Sequence, residues 1–154
     1  DKELDRLIRQ NPTISQITGQ LKSIPGVGLL LASDLIAITG AFNDIYTHKT
    51  LAAFIGICPY HHQSGKSVYR QPHMRNFGPN YARKLLMLAA RSCATHNIEF
   101  RKYYMRKLAE GKAKQLGLNN ISNKIIKIAC ALVKNNAQYN ETYRSVNPLC
   151  FNLA

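Results

Sequence analysis

Residues 21–38 read LKSIPGVGLLLASDLIAI. Ile14, Ile17, Leu21 and Ile24 recur at helical spacing before the turn Pro25-Gly26-Val27-Gly28, and an apolar helix from about Leu29 to Ile38 follows it. Two helices joined by Pro-Gly-hydrophobic-Gly form the pattern of a helix-hairpin-helix. Gly26 and Gly28 let the backbone turn tightly and come close to a ligand. The first amides of the second helix have no intrahelical acceptor and carry the positive end of its dipole. A DNA phosphate fits there without any base contact, which makes Gly26, Val27 and Gly28 candidate DNA-binding residues. Ile24, Val27 and Leu30 are expected to lock the hairpin. An ordinary packing corner that binds nothing satisfies the same pattern.

Outward from this stretch the chain reads as helices, so the expected class is all-α. Upstream, Leu4, Leu7 and Ile8 mark a polar helix that Asn11-Pro12-Thr13 breaks and recaps. Downstream, Thr39-Gly40 is a stop, and Thr47 can cap a short helix ending near Ile55. Pro79 suits the first position of a helix carrying Ala82, Leu85, Leu86, Ala89 and Cys93. A basic helix is expected over 98–110, a linker over Gly111–Asn120, and a last helix capped by Ser122. No apolar run reaches the roughly 18 residues that a membrane span requires. The chain opens without a signal-peptide pattern and without an initiator Met, which suggests a fragment. Four scattered cysteines fit a reducing cytosol better than a disulfide scaffold.

The net charge is +13 and it is unevenly spread: −1 over residues 1–44, +6 over 45–100 and +8 over 101–154. A polyanion is the natural partner of such a surface. Between Gly56 and Gly78 lies GICPYHHQSGKSVYRQPHMRNFG, punctuated by Pro59, Gly65 and Pro72 and read as loop or a small hairpin. It contains Ser64, followed by Gly65, and His61, His62, His73, Lys66, Arg70 and Arg75. A serine hydroxyl becomes a nucleophile when a base takes its proton or nearby charge stabilises the transition state. Histidine titrates near neutrality and the cations can neutralise a phosphate, so the chemistry is possible. A polar surface turn has the same residues. Tyr60 and Tyr69 can stack on a base, and either is an alternative nucleophile. Cys58-x-x-His61 and Cys93-x-x-His96 have zinc-ligand spacing, but Cys93 falls on an apolar helix face, and no metal site is assigned. No carboxylate occurs between Ile45 and Ile98, so the chain by itself does not hold a two-metal nuclease centre.

Taken in order, SIPGVGLLLASDLIAITGAF, LAAFIGICPYHHQSGKS, RNFGPNYARKLLMLAARS and FRKYYMRKLAEGKAKQLGLNNISNKIIKIACALVKNNAQY resemble the C-terminal domain of the insertion-sequence one-ten family of transposases. The resemblance spans about residues 20–140. It implies residues 1–20 as the end of a helical connector, 21–144 as the transposase C-terminal helical domain, and 145–154 as a tail. It implies a DNA transposition or site-specific recombination enzyme whose serine, here Ser64 with Ser67 nearby, attacks a DNA phosphodiester. Arg83 matches the family's Gly-x-x-x-x-Arg and joins Lys66, Arg70 and Arg75 as a DNA ligand, with His61 and His62. The acidic residues and their Mg²⁺ would belong to a RuvC-like N-terminal domain, so the fragment alone is expected to be inactive and to bind no cofactor. DNA, a structured guide RNA and further copies of the chain are the implied partners, in the bacterial cytoplasm at the nucleoid. A noncatalytic helix-hairpin-helix module that binds DNA or RNA is the alternative.

Overall fold

The computed structural model describes residues 2–43, 47–60, 63–64, 68–69, 73–74 and 78–141. Among these the fold is helical, with seven helices: α1 (Lys2–Gln10), α2 (Pro12–Lys22), α3 (Leu29–Thr39), α4 (His48–Ile55), α5 (Asn80–His96), α6 (Ile98–Ala109) and α7 (Lys114–Lys134). No described helix is long and apolar enough to cross a membrane.

The boundaries follow local chemistry. Asn11 separates α1 from α2, its Oδ1 accepting from the amides of Thr13 (3.0 Å) and Ile14 (3.3 Å) while Pro12 fills the first helical position. Gly40 ends α3 in the left-handed region at φ 56°. Thr47 and Thr50 form a reciprocal capping box at the start of α4. Asn97 caps α6, its Oδ1 accepting from Glu99 and Phe100 amides at 3.1 Å each. Pro79 stands one place earlier than expected: it is the N-cap of α5, and Asn80 is the first helical residue.

The long helix α7 packs on α2, α4, α5 and α6. Its Ile121, Ile125 and Ile126 are fully buried with Leu21, Leu35, Leu51, Ile55 and Leu86. Burying such a side chain contributes roughly 1.5–3 kcal/mol, so this shared core holds the helices together. α2 takes part in it through Ile17 and Leu21. After α7 the chain returns across α2: the Tyr139 amide donates to Ser23 Oγ at 2.9 Å, and Gln16 and Gln20 both donate to Asn136 Oδ1.

Two expectations fail here. The linker foreseen over Gly111–Asn120 is mostly helix, because α7 already begins at Lys114. Gly117 lies inside α7, where its hydrogen gives way to Tyr104; a Cβ would stand 2.8 Å from the ring's Cε2. Close crossing of α6 over α7 outweighs the low helix propensity of glycine. Ser122 does not cap the helix either. It is buried mid-helix and donates to the Leu118 carbonyl at 3.2 Å.

Candidate functional site

The α2–α3 turn docks onto α5. Ile24 and Val27 are buried, but Leu30, expected beside them, is 43% exposed. Leu30 therefore does not lock the turn; Cys93 does, with its Sγ donating to the Pro25 carbonyl at 2.8 Å. Gly26 adopts φ +77°, and a Cβ there would lie 2.7 Å from the Ala89 carbonyl oxygen and 2.9 Å from Cys93 Sγ. The requirement for glycine at 26 is thus a requirement of α5 packing. Gly28 differs: its backbone is extended (φ −92°) and nothing lies within 4 Å of where a Cβ would stand. The Gly28 carbonyl accepts the Ala32 amide at 3.0 Å, so the Leu29, Leu30 and Leu31 amides precede the first intrahelical bond. Open space and unpaired amides meet at Gly28.

Burial pushes the Cys93 thiol up to about 11. A raised value favours the protonated thiol, so Cys93 carries little thiolate at neutral pH and is a poor metal ligand or nucleophile in the fold. Iodoacetamide is expected to leave Cys93 unlabelled in the folded protein and to label it after urea unfolding, as read by peptide mass mapping. Among the described residues, no three His, Cys, Asp or Glu side chains gather as a metal site would need.

The second part of the site springs from the end of α4. Gly56 terminates α4 in the left-handed region at φ 80°. Gly78, at φ +104°, returns to the same place: a Cβ on it would collide with the Phe54 carbonyl oxygen and lie 3.3 Å from the Ile55 carbonyl. The excursion over residues 57–77 therefore leaves and re-enters the helical body at one root. Its backbone is paired twice. β1 (Pro59–Tyr60) runs antiparallel to β4 (His73–Met74), and β2 (Gln63–Ser64) runs antiparallel to β3 (Val68–Tyr69). Ser64 is the Cα partner of Val68 at the end of this ladder. Two residues separate β1 from β2, while three separate β3 from β4. The stretch read as loop or small hairpin is thus a doubly paired hairpin, within a fold that is otherwise helical.

The root is held from α7. Asn119, buried, donates from Nδ2 to the Ile57 carbonyl at 2.8 Å, and Asn123 donates to the same oxygen at 3.4 Å. Neither asparagine stood out in sequence, because both fell near a segment that looked like linker and cap. Asn119 Oδ1 is buried without a partner. Asn119→Ala removes the better donor but also an unsatisfied acceptor, so the expected net cost is about 1 kcal/mol. That corresponds to a Tm fall of about 2–4 °C in a thermal melt.

Of the remaining candidates, Arg83 lies in the first turn of α5, just beyond Gly78, and is half-buried. His73, Tyr60 and Tyr69 belong to the paired strands. His61, His62, Lys66, Ser67, Arg70 and Arg75 lie outside the described residues. The backbone thus gathers Ser64 and the other strand residues onto one excursion that re-enters the helical body just before α5. The α2–α3 turn reaches the same helix, α5, farther along, at Ala89 and Cys93.

A family model described as Transposase IS116/IS110/IS902 family matches residues 18–105. The chain is 27% identical over 142 residues to the pilin gene-inverting protein of Moraxella lacunata, covering 92% of this chain and 44% of that protein. It is 29% identical over 148 residues to the transposase for insertion sequence element IS1111A of Coxiella burnetii, covering 94% of this chain and 38% of the other. An insertion element IS110 protein of 43.6 kDa from Streptomyces coelicolor is 25% identical over 139 residues, covering 90% of this chain and 33% of the other. The chain thus spans less than half the length of these relatives. The match runs from within α2, through the turn at Gly26, the paired hairpin and α5, into α6, and by it the chain belongs to the IS116/IS110/IS902 family of transposases.

Proposed function

We propose that this chain is the serine-bearing part of a DNA recombinase that moves or inverts DNA segments. The observation that carries the reading is the position of Ser64: it ends β2, paired with Val68 of β3, in a hairpin rooted at the end of α4. Ser64 Oγ attacks a backbone phosphorus, forming an Oγ–P bond as the bond to the leaving sugar oxygen breaks. The serine proton passes to a base, with His61, His62 and His73 the candidates, and the leaving oxygen takes up a proton. Lys66, Arg70, Arg75 and Arg83 balance the charge that develops on the phosphoryl oxygens. The α2–α3 turn acts as a helix-hairpin-helix, presenting the amides beyond Gly28 to a DNA phosphate.

The stretch between Ile45 and Ile98 has no carboxylate, so any Mg²⁺ would be held by acidic residues outside this chain. Such an ion would supply Lewis-acid charge at the phosphate. The isolated 154 residues therefore bind DNA without cutting it. The working enzyme is a bacterial cytoplasmic assembly of several copies, with a structured RNA selecting its DNA sites and residues 21–144 forming one domain of each copy.

The test is to trap the adduct. A nicked duplex that releases its cleaved end should leave the full-length recombinase covalently attached to DNA under denaturing conditions. Peptide mapping should put the link on Ser64. A link on Ser67 moves the assignment by three residues, and a link on Tyr60 or Tyr69 overturns the serine mechanism.

A further inference from the structure

The basic C-terminal third of the chain is not used by the site just described. Its cations gather on α6 and α7 around one ring. Lys124 Nζ lies 4.1 Å from the Tyr103 ring centroid, Arg106 Cζ 5.4 Å and Lys107 Nζ 5.8 Å. Lys107 is neutralised by Glu110, with Nζ–Oε2 at 2.6 Å, but among the described residues no carboxylate forms an ion pair with Arg106 or Lys124. Burial against this surface, and then the Arg106 charge, hold the Lys124 ammonium below its ordinary value, with Lys127 adding to the repulsion and Glu99 opposing it. A cluster that repels itself gains most from an external anion.

The cluster continues along α7. Lys127 and Lys134 are exposed, and Lys124, exposed along its stem while its ammonium rests against the Tyr103 ring, falls on the same side of the helix. Ten residues of helix span about 15 Å, a length over which one DNA strand presents roughly four phosphates. Toward its far end Lys127 and Lys134 border a groove of about 690 Å³ that His48 also lines. None of the described residues lining that groove is acidic.

The aromatic residues say what kind of nucleic acid fits. The Tyr103 ring is occupied by cations, and the Tyr104 ring is pressed against Gly117 of α7. Stacking an unpaired base, as a single-strand groove requires, would have to displace these contacts. Contacts here go to phosphates, and a regular duplex supplies these at fixed spacing.

We infer that the α6–α7 face, comprising Arg106, Lys124, Lys127 and Lys134, is a second contact surface for the backbone of duplex DNA, built on helices other than those of the α2–α3 turn. The choice of DNA rests on the recombinase reading above. A domain with two such faces can hold DNA away from Ser64 as well as at it.

The test measures binding of a short fluorescent DNA duplex to the 154-residue chain by anisotropy over a salt series. Combining Lys124→Gln, Lys127→Gln and Lys134→Gln should make the logarithmic salt slope shallower by about 2–3 and weaken binding at low salt by roughly tenfold or more. Removing three α1 charges instead, with Lys2→Gln, Arg6→Gln and Arg9→Gln, should change both much less. Equal effects from the two triples would overturn the inference, leaving only net charge. The single Lys127→Gln, on an exposed side chain, guards against misfolding of the triple and should lower the slope by about 1. An unchanged slope for it would also overturn the inference. If the α7 triple weakens an RNA duplex but spares the DNA duplex, the assignment to DNA is wrong. Anisotropy of the 154-residue chain reads binding and not strand cleavage, so failure of the cleavage mechanism and failure of this surface are read separately.

Discussion

Replacing Ser64 by alanine is expected to bring strand cleavage by the full-length recombinase to background, a loss on the order of 10⁴-fold or more. Duplex binding should stay at the unsubstituted level. The size of the effect follows from the role: with Oγ gone there is no atom to form the phosphoserine bond, and no remaining group replaces it. Folding should be unaffected, because Ser64 belongs to a two-residue ladder whose pairing is made by backbone atoms. The measurement is a gel assay of nicked and joined products beside an anisotropy titration. Full cleavage by Ser64→Ala combined with none by Ser67→Ala would transfer the nucleophile to Ser67. Cleavage by both would leave the noncatalytic binding module as the correct account.

The largest expected effect on stability is at Gly26. Gly26→Val forces a branched side chain into the left-handed region and drives it against the Ala89 carbonyl oxygen and Cys93 Sγ. The backbone conformation alone costs roughly 1–2 kcal/mol, and overpacking adds roughly 1–3, so about 3 kcal/mol in total is expected. Urea denaturation should show the midpoint falling with little change in slope. Gly28→Val is the informative contrast. Its backbone is extended and its surroundings are open, so stability should change by only about 0.5 kcal/mol. A branched side chain there stands where a phosphate would approach, so DNA binding should weaken across all sequences. If Gly28→Val binds as the unsubstituted chain does, the α2–α3 turn is a packing corner and nothing more.

These two glycines show how far the sequence could be read. The spacing around Pro25-Gly26-Val27-Gly28 correctly announced two apolar helices and a tight turn. It gave both glycines the same role, since sequence does not reveal that α5 lies against one of them and open space beside the other. The helix ends were legible wherever a local side chain decides them, as at Asn11, Gly40 and Thr47. They were not legible at α7, where Gly117 and Asn119 look like breakers until Tyr104 and the Ile57 carbonyl are in place. A small hairpin was one of two readings of residues 56–78, and Gln63-Ser64 and Val68-Tyr69 could not decide between it and a loop, because two-residue strands have no periodicity to detect. What could be read of Ser64 was its chemistry and its basic company. The family resemblance supplied the role proposed for it.

The common root at Gly56 and Gly78 has a consequence for how this family can diversify. Because the excursion starts and ends against the last turn of α4, its length is decoupled from the helical core. Doubling such a segment adds only about 0.6 kcal/mol of closure entropy. Residues can be gained or lost between the two glycines while the seven helices keep their places. The distance of Ser64 from the helical body is then an evolvable parameter, adjustable without redesign of the scaffold. The same property makes the root a natural junction for exchanging hairpins between relatives.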